Sequence, residues 1–242
     1  MDRHGVDVWG MAYLDMQAGQ PRPVLMRRDD GLVTDLTELI RGYFDSPPPR
    51  QTELLERLSG RVLDVGCGVG RHTLWLQDRG VEAVGIDGSP GAVAVAKARG
   101  CREVHLVTAC ELQFPDDSFD AAVLMGNGAS LGGTIEGCKA LFGCLAALVR
   151  LRGTLIAEGN DPLVTDNPQH LAYHEANRRA GRPPGQVRVR MEYGGEVGEW
   201  FDLMLFEPDR LAETLEQAGW RVTERVMYQG MSNYAIIAEP DK

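Results

Sequence analysis

The chain has 242 residues, with 35 acidic against 25 basic side chains and a formal net charge of −10. That length suits one large domain or one domain with a modest insertion, and the acidic balance disfavours nucleic acid, whose binding rests on neutralising phosphates. No apolar run reaches membrane-spanning length, the opening Met1-Asp2-Arg3-His4 lacks the segments of a secretory leader, and five cysteines without paired spacing read as reduced thiols, so the expected setting is cytoplasmic.

In chain order, residues 1–50 read as an N-terminal extension or lid ahead of a main domain, 51–242. Residues 8–16 suit a short helix. Residues 24–27 and 31–35 flank an Asp-Gly turn as a hairpin, and 34–43 has helical spacing. Ser46-Pro47-Pro48-Pro49 is a stiff break, and 51–58 reads as a helix. Strands and helices then alternate: strand 61–66, helix 70–79, strand 82–87, helix 90–99, strand 103–108, strand 119–125, helix 134–150 and strand 153–159. That alternation predicts an α/β fold with a doubly wound, mostly parallel sheet. Ser89-Pro90 is a helix start, with Ser as N-cap and Pro in the first turn. Residues 161–207 leave the alternation and read as a cap insertion, a helix at 167–180 and strands at 186–193 and 199–206. A helix at 208–218 and a terminal antiparallel pair, 220–228 with 233–238, close the chain.

The sharpest motif lies at the first strand of this alternation. Val62-Leu63-Asp64-Val65 runs into Gly66-Cys67-Gly68-Val69-Gly70, and Val84-Gly85-Ile86-Asp87 follows as a second strand ending in a carboxylate. Glycine permits unusual dihedrals and the close approach of a ligand, and a carboxylate at the second strand end can accept from both hydroxyls of a ribose. A dinucleotide fingerprint is G-x-G-x-x-G. Here the third glycine comes one residue early, and Arg71 stands where that fingerprint wants Gly or Ala. Asp64 inside the strand end would repel a pyrophosphate but suits a cationic amine. The implied ligand has a ribose and a positive charge and no phosphate, which S-adenosylmethionine satisfies.

These residues, together with Gly85-Ile86-Asp87-Gly88-Ser89-Pro90 and Phe114-Pro115-Asp116-Asp117-Ser118-Phe119-Asp120, resemble the class I S-adenosylmethionine-dependent methyltransferases in order and spacing. The resemblance covers roughly residues 60–160 well. It implies a Rossmann-like seven-stranded sheet in the order 3-2-1-4-5-7-6, last strand antiparallel, and S-adenosyl-L-methionine as cofactor. Carried onto this chain, Gly66, Gly68 and Gly70 pass under the methionine and ribose, Asp64 orients the amino group or caps the loop, Asp87 binds the ribose, and Gly88 lets the adenine lie close. Removing Asp87 is expected to weaken cofactor binding and spare the fold. Many relatives place an Asp before an Ala after the third strand; here Thr108-Ala109-Cys110-Glu111 leaves the backbone of Ala109 and Cys110, or Glu111, to read the adenine edge. Met125 and Asn127 follow the fourth strand, where the methyl would lie, although Met125 equally suits the core. His72 is placed either against the cofactor carboxylate or on an exposed helix face.

Methyl transfer needs mainly alignment, with a general base only where the nucleophile must lose a proton. No catalytic residue is named by the sequence beyond His174 as a candidate base. Trp9 and Tyr13 in the extension, and His170, Tyr173, His174 and Trp200 in the insertion, are candidates to line the acceptor pocket, or form a small core beneath the cap. His170 and His174 share a helix face, but no third metal partner is apparent and no metal is expected. The expected activity is methyl transfer to O, N or C of a small organic acceptor, with no nucleic-acid or membrane partner. The alternatives are a cofactor-binding cyclase or isomerase that transfers no methyl, and a non-catalytic interaction module. The competing role for the insertion is a homodimer interface.

Overall fold

In the computed structural model, residues 6–108, 111 and 113–242 are described. The centre is a seven-stranded sheet in the order β11-β12-β7-β6-β3-β4-β5. Its strands are β3 (Arg61–Val65), β4 (Glu82–Asp87), β5 (Glu103–Leu106), β6 (Phe119–Leu124), β7 (Val149–Asn160), β11 (Trp220–Met227) and β12 (Asn233–Pro240). The first five are parallel, and β12 runs antiparallel to both β7 and β11. This is the strand order that the resemblance implies, in the doubly wound sheet expected from the alternation. Both faces are covered, so the inner strands read as apolar runs rather than as alternating ones. Leu63, Val65, Ile86 and Leu124 pack under α6 (Ile135–Leu148) and α8 (Pro208–Gln217), through Leu141, Phe142, Leu211 and Leu215. On the other face Val62, Ala121, Val123 and Ile156 meet α3 (Pro49–Leu55) and α4 (Arg71–Gln77), through Leu54, Leu55, Trp75 and Leu76.

The extension and the insertion are not separate covers. β1 (Val24–Arg28) and β2 (Val33–Asp35) join β8 (Gln186–Tyr193), β9 (Glu196–Val197) and β10 (Phe201–Met204) in a second, antiparallel sheet. β1 pairs with β8 from Val24↔Tyr193 to Arg28↔Val189, a partnership that local periodicity does not reveal. One face of this sheet, with Val24, Met191 and Tyr193, packs on α1 (Val8–Gln17), and α7 (Pro168–Arg179) links it to the main domain. The helical reading of 34–43 is corrected. Val33–Asp35 is strand, and α2 (Thr37–Gly42) begins later. Asp35 Oδ1 accepts from both the amide and the hydroxyl of Thr37, at 2.8 and 2.5 Å, a local turn that separates the two. Helix α5 (Pro90–Ala98) starts at Ser89, whose Oγ accepts from Ala92 N–H at 3.0 Å. Among the described residues no helix is long and apolar enough to cross a membrane.

Candidate functional site

Open α/β sheets bind ligands at the carboxyl ends of their strands. At that edge β3 runs into a turn in which Gly66, Gly68 and Gly70 have φ of +73°, +54° and +79°, a region that disfavours any side chain. A Cβ on Gly70 would lie 2.2 Å from Cys101 Sγ, and one on Gly66 would lie 2.8 Å from Leu131. Gly68 differs: a Cβ there would meet only the Tyr13 hydroxyl, at 3.8 Å, an ordinary contact, so this glycine is uncrowded and lies beneath that hydroxyl. A Cβ on Gly88 would meet only Thr108, at 3.7 Å.

Asp87 holds the turn against β4. Its Oδ2 accepts from Gly68 N–H and its Oδ1 from Ser89 N–H, both at 2.8 Å. Asp87 thus holds two of the protein's own amides, so its removal is expected to cost stability as well as ligand binding. A carboxylate offers about four lone-pair sites, more than the two amides at 2.8 Å fill. Burial raises its pKa, against the pull of the Ser89, Gly68 and Gly88 amides. Asp64 is buried at 1% exposure, and its Oδ2 accepts from Thr73 Oγ1 at 2.7 Å. Desolvation pushes its carboxyl up to about 6. Among the described residues Asp64 thus ties β3 to α4 through Thr73, and not to the turn's own amides that the capping alternative named. Ala109 and Cys110 lie outside the described residues, while Glu111 accepts from Thr108 Oγ1 at 2.8 Å.

Helix α1 roofs the turn. Asp7 caps α1 through Gly10 N–H and at the same time accepts from Ser89 Oγ and Gly91 N–H at 2.9 Å. Gly10 and Gly91 touch backbone to backbone, since a Cβ on Gly91 would lie 2.4 Å from Gly10 Cα. Tyr13 is thereby set over Gly68, with Trp9 stacked on it at 6.0 Å between ring centroids. Burial, with smaller contributions from Tyr43, Asp87, Cys67 and Asp7, raises the Tyr13 pKa and keeps the hydroxyl a donor.

The turn after β6 carries a second cluster. Met125 packs in the apolar cluster with Trp75 and Tyr228, in keeping with its core alternative. Gly126 and Asn127 follow with φ of +59° and +71°. Asn127 Nδ2 donates to Ser130 Oγ at 3.2 Å, while its Oδ1 is buried without a partner. Below it Glu158, 3% exposed at the end of β7, accepts from Tyr228 Oη at 2.8 Å and from Gln51 Nε2 and Gly126 N–H at 2.6 Å. Gln51 Oε1 meets His72 Nε2 at 3.1 Å. Burial lowers the His72 pKa to about 3, so this ring is neutral, and its burial corrects the alternative of an exposed helix residue. Sequence reasoning missed Glu158, Gln51 and Tyr228. The available signal was a carboxylate closing the apolar run Leu155-Ile156-Ala157.

The insertion candidates sit apart from the glycine turn. Tyr173 Oη donates to Asp29 Oδ1 at 2.7 Å and accepts from Arg188 N–H at 3.3 Å, under the Arg28 guanidinium at 4.1 Å from its ring. It lines a cleft of about 200 Å³ with Arg182, Arg188 and Asp202. His170 Nδ1 pairs with Thr165 Oγ1 at 3.1 Å. His174 is buried with Nδ1 unpartnered, and burial, then Arg178, His170 and Arg28, lower its pKa. Trp200 lies against Arg190 at 4.8 Å. Arg190 alternates with the inward-facing Val189 and Met191, so Trp200 is on the sheet face turned away from α1. Of the acceptor candidates, Trp9 and Tyr13 are thus the pair at the glycine turn.

A methyltransferase domain family model matches residues 63–131. The chain is 48% identical over 68 residues to a 23S rRNA (uracil(1939)-C(5))-methyltransferase of Nitrosococcus oceani, covering 28% of this chain and 15% of that protein. This and three further curated relatives share at most 35% of their own length with the chain. A longer match, 29% identical over 219 residues, joins 86% of this chain to 87% of a demethylmenaquinone methyltransferase of Tropheryma whipplei. Among solved structures, a methyltransferase from Bacteroides fragilis in complex with S-adenosyl-L-homocysteine superposes with a TM-score of 0.82 at 22% identity, covering 98% of this chain and 95% of that one.

Proposed function

We propose that this chain, which belongs to the class I S-adenosylmethionine-dependent methyltransferases, transfers the cofactor's methyl group to a nucleophilic atom of a small organic acceptor. One observation carries the reading: Asp87, at the end of β4, holds the amides of Gly68 and Ser89 under the Tyr13 hydroxyl, at the strand edge where open α/β sheets bind ligands. The residues fit this cofactor. Two carboxylates lie beside the turn, Asp64 near the end of β3 and Asp87 at the end of β4, which suits an ammonium and a sulfonium and disfavours a pyrophosphate. When bound, the cofactor supplies an already activated methyl group. The chain's own residues bind and align: Asp87 takes the ribose hydroxyls, Asp64 the ammonium, the Tyr13 hydroxyl donates above Gly68, and Asn127 faces the reacting end. Helix α1 excludes water from above. Alignment of this kind lowers a barrier by ~7–11 kcal/mol, so a general base is not required by the reading. The acidic surface, net −10, favours a small molecule over nucleic acid.

Calorimetry should give micromolar binding of S-adenosylhomocysteine, about −8 kcal/mol, and no comparable binding of NAD. Incubation with S-adenosylmethionine and a panel of hydroxyl- and amine-bearing aromatics should yield S-adenosylhomocysteine and methylated product in equal amounts. Tighter binding of NAD would overturn the proposal. Cofactor binding with acceptor turnover but no S-adenosylhomocysteine would favour a cyclase or isomerase.

A further inference from the structure

The Glu158 cluster bears on what the acceptor is. Ser130 has one hydroxyl proton and gives it to the carbonyl of Asn127, at 2.8 Å. Toward the Asn127 side chain Ser130 can therefore only accept, which fixes Nδ2 on its side and leaves Oδ1 on the other. That oxygen is buried and unpartnered, and a buried acceptor left so costs free energy unless a ligand satisfies it. It is held there by a turn of two consecutive left-handed residues, the second not a glycine, a conformation that persists only where its surroundings impose it. The Gly126 amide bond to Glu158, 2.6 Å long, supplies that constraint. Glu158 is itself braced by Tyr228 and Gln51, and Gln51 by His72. Four segments far apart in sequence thus converge on one amide at the ligand-binding edge.

We infer that Glu158 is a positioning residue for the reacting end of the site, and that the oxygen it places, Asn127 Oδ1, accepts a hydrogen from the nucleophile. The inference rests on the methyltransferase reading and narrows it to acceptors that react through N–H or O–H rather than carbon. In the transfer the C–S bond breaks with its electron pair returning to sulfur. A C–N or C–O bond forms from the nucleophile's lone pair, and the nucleophile's proton leaves to water. Asn127 orients that hydrogen and does not take it, since an amide oxygen is too weak a base.

A nitrogen placed where the methyl would be tests this without an acceptor. Sinefungin carries an ammonium on carbon in place of the methyl-bearing sulfur, and S-adenosylhomocysteine has nothing there. Calorimetric titration of both should show the wild-type chain favouring sinefungin by roughly tenfold, the value of one charge-assisted hydrogen bond. Glu158→Leu frees the turn, and Asn127→Ala removes the oxygen; both should bring the ratio near one. Glu158→Gln can keep its oxygen on Gly126 and turn its amide to Tyr228, and Tyr228→Phe leaves the Gly126 bond in place; both should hold the ratio within about threefold. An unchanged ratio in Asn127→Ala overturns the inference, and that variant decides the matter if Glu158→Leu fails to fold. A purely structural Glu158 would lower the melting temperature of Glu158→Leu and leave the ratio alone. Collapse in Glu158→Gln as complete as in Glu158→Leu would mean that the carboxylate itself meets the ligand. If the wild-type chain binds neither compound, the methyltransferase reading falls, and this one with it.

Discussion

Asp87→Ala should injure two things at once, and the structure separates them. The first is the turn. Asp87 accepts the amides of Gly68 and Ser89, and a hydrogen bond to a charged group is worth ~1.5–3 kcal/mol. Losing both costs roughly 3–6 kcal/mol, less whatever burial already charges the carboxylate, whose pKa it raises. For a domain of this size each kcal/mol moves the melting temperature by about 2–4 °C, so a fall of roughly 10 °C is expected. The second is the ligand. Two ribose hydroxyls donating to the remaining lone pairs, at the low end of the same scale, amount to about 3 kcal/mol, or a hundredfold in affinity. Scanning calorimetry reads the first effect. Titration with S-adenosylhomocysteine, performed well below the variant's transition, reads the second. Asp87→Asn keeps one accepting oxygen and should fall between wild type and Asp87→Ala in both. A variant that melts early yet binds S-adenosylhomocysteine as well as wild type would refute the ligand role and leave Asp87 as a pin for the glycine turn.

Asp64 predicts a pH dependence. Its folded pKa of about 6 lies above the unfolded value of about 3.9, so between these limits the native state binds more protons and stability falls as pH rises. The loss is complete above pH 6 and amounts to about 3 kcal/mol. Asp64→Asn, which keeps an acceptor for Thr73, should gain on wild type in melting temperature as pH rises from 4 to 6.5; a constant difference would contradict this origin. Cofactor affinity should move the opposite way in wild type, weakening as pH drops through 6 and the carboxylate is protonated. Gly91→Ala should displace α1, because its Cβ meets Gly10 backbone at 2.4 Å; binding of S-adenosylhomocysteine should weaken about tenfold as Tyr13 leaves Gly68. Gly42→Ala, which meets nothing within 4 Å, is the control, and equal behaviour of the two by titration and melting would remove α1 from the site.

What the chain declares by itself is local. Strand and helix periods repeat within ten residues, so the alternation along 61–159 announces the parallel sheet. Positive φ at Gly66, Gly68 and Gly70 is a demand that only glycine meets without strain, so that turn is written in residue type. Asp87 is legible because a strand end lies at a known spacing from the turn. Contacts between distant segments have no such local signature. The pairing of β1 with β8 is made by backbone groups that every residue carries, so it could not be read, and the extension and insertion looked like two covers. Trp200 shows the same limit, since its face depends on the register of β10 against β8. Nor could sequence decide which of the protein's own groups Asp87 and Asp64 hold, because a carboxylate does not declare which donors fold around it. Glu158, Gln51, His72 and Tyr228 are four ordinary residues along the chain. Only burial in one place, where each polar atom must find a partner, makes them a unit.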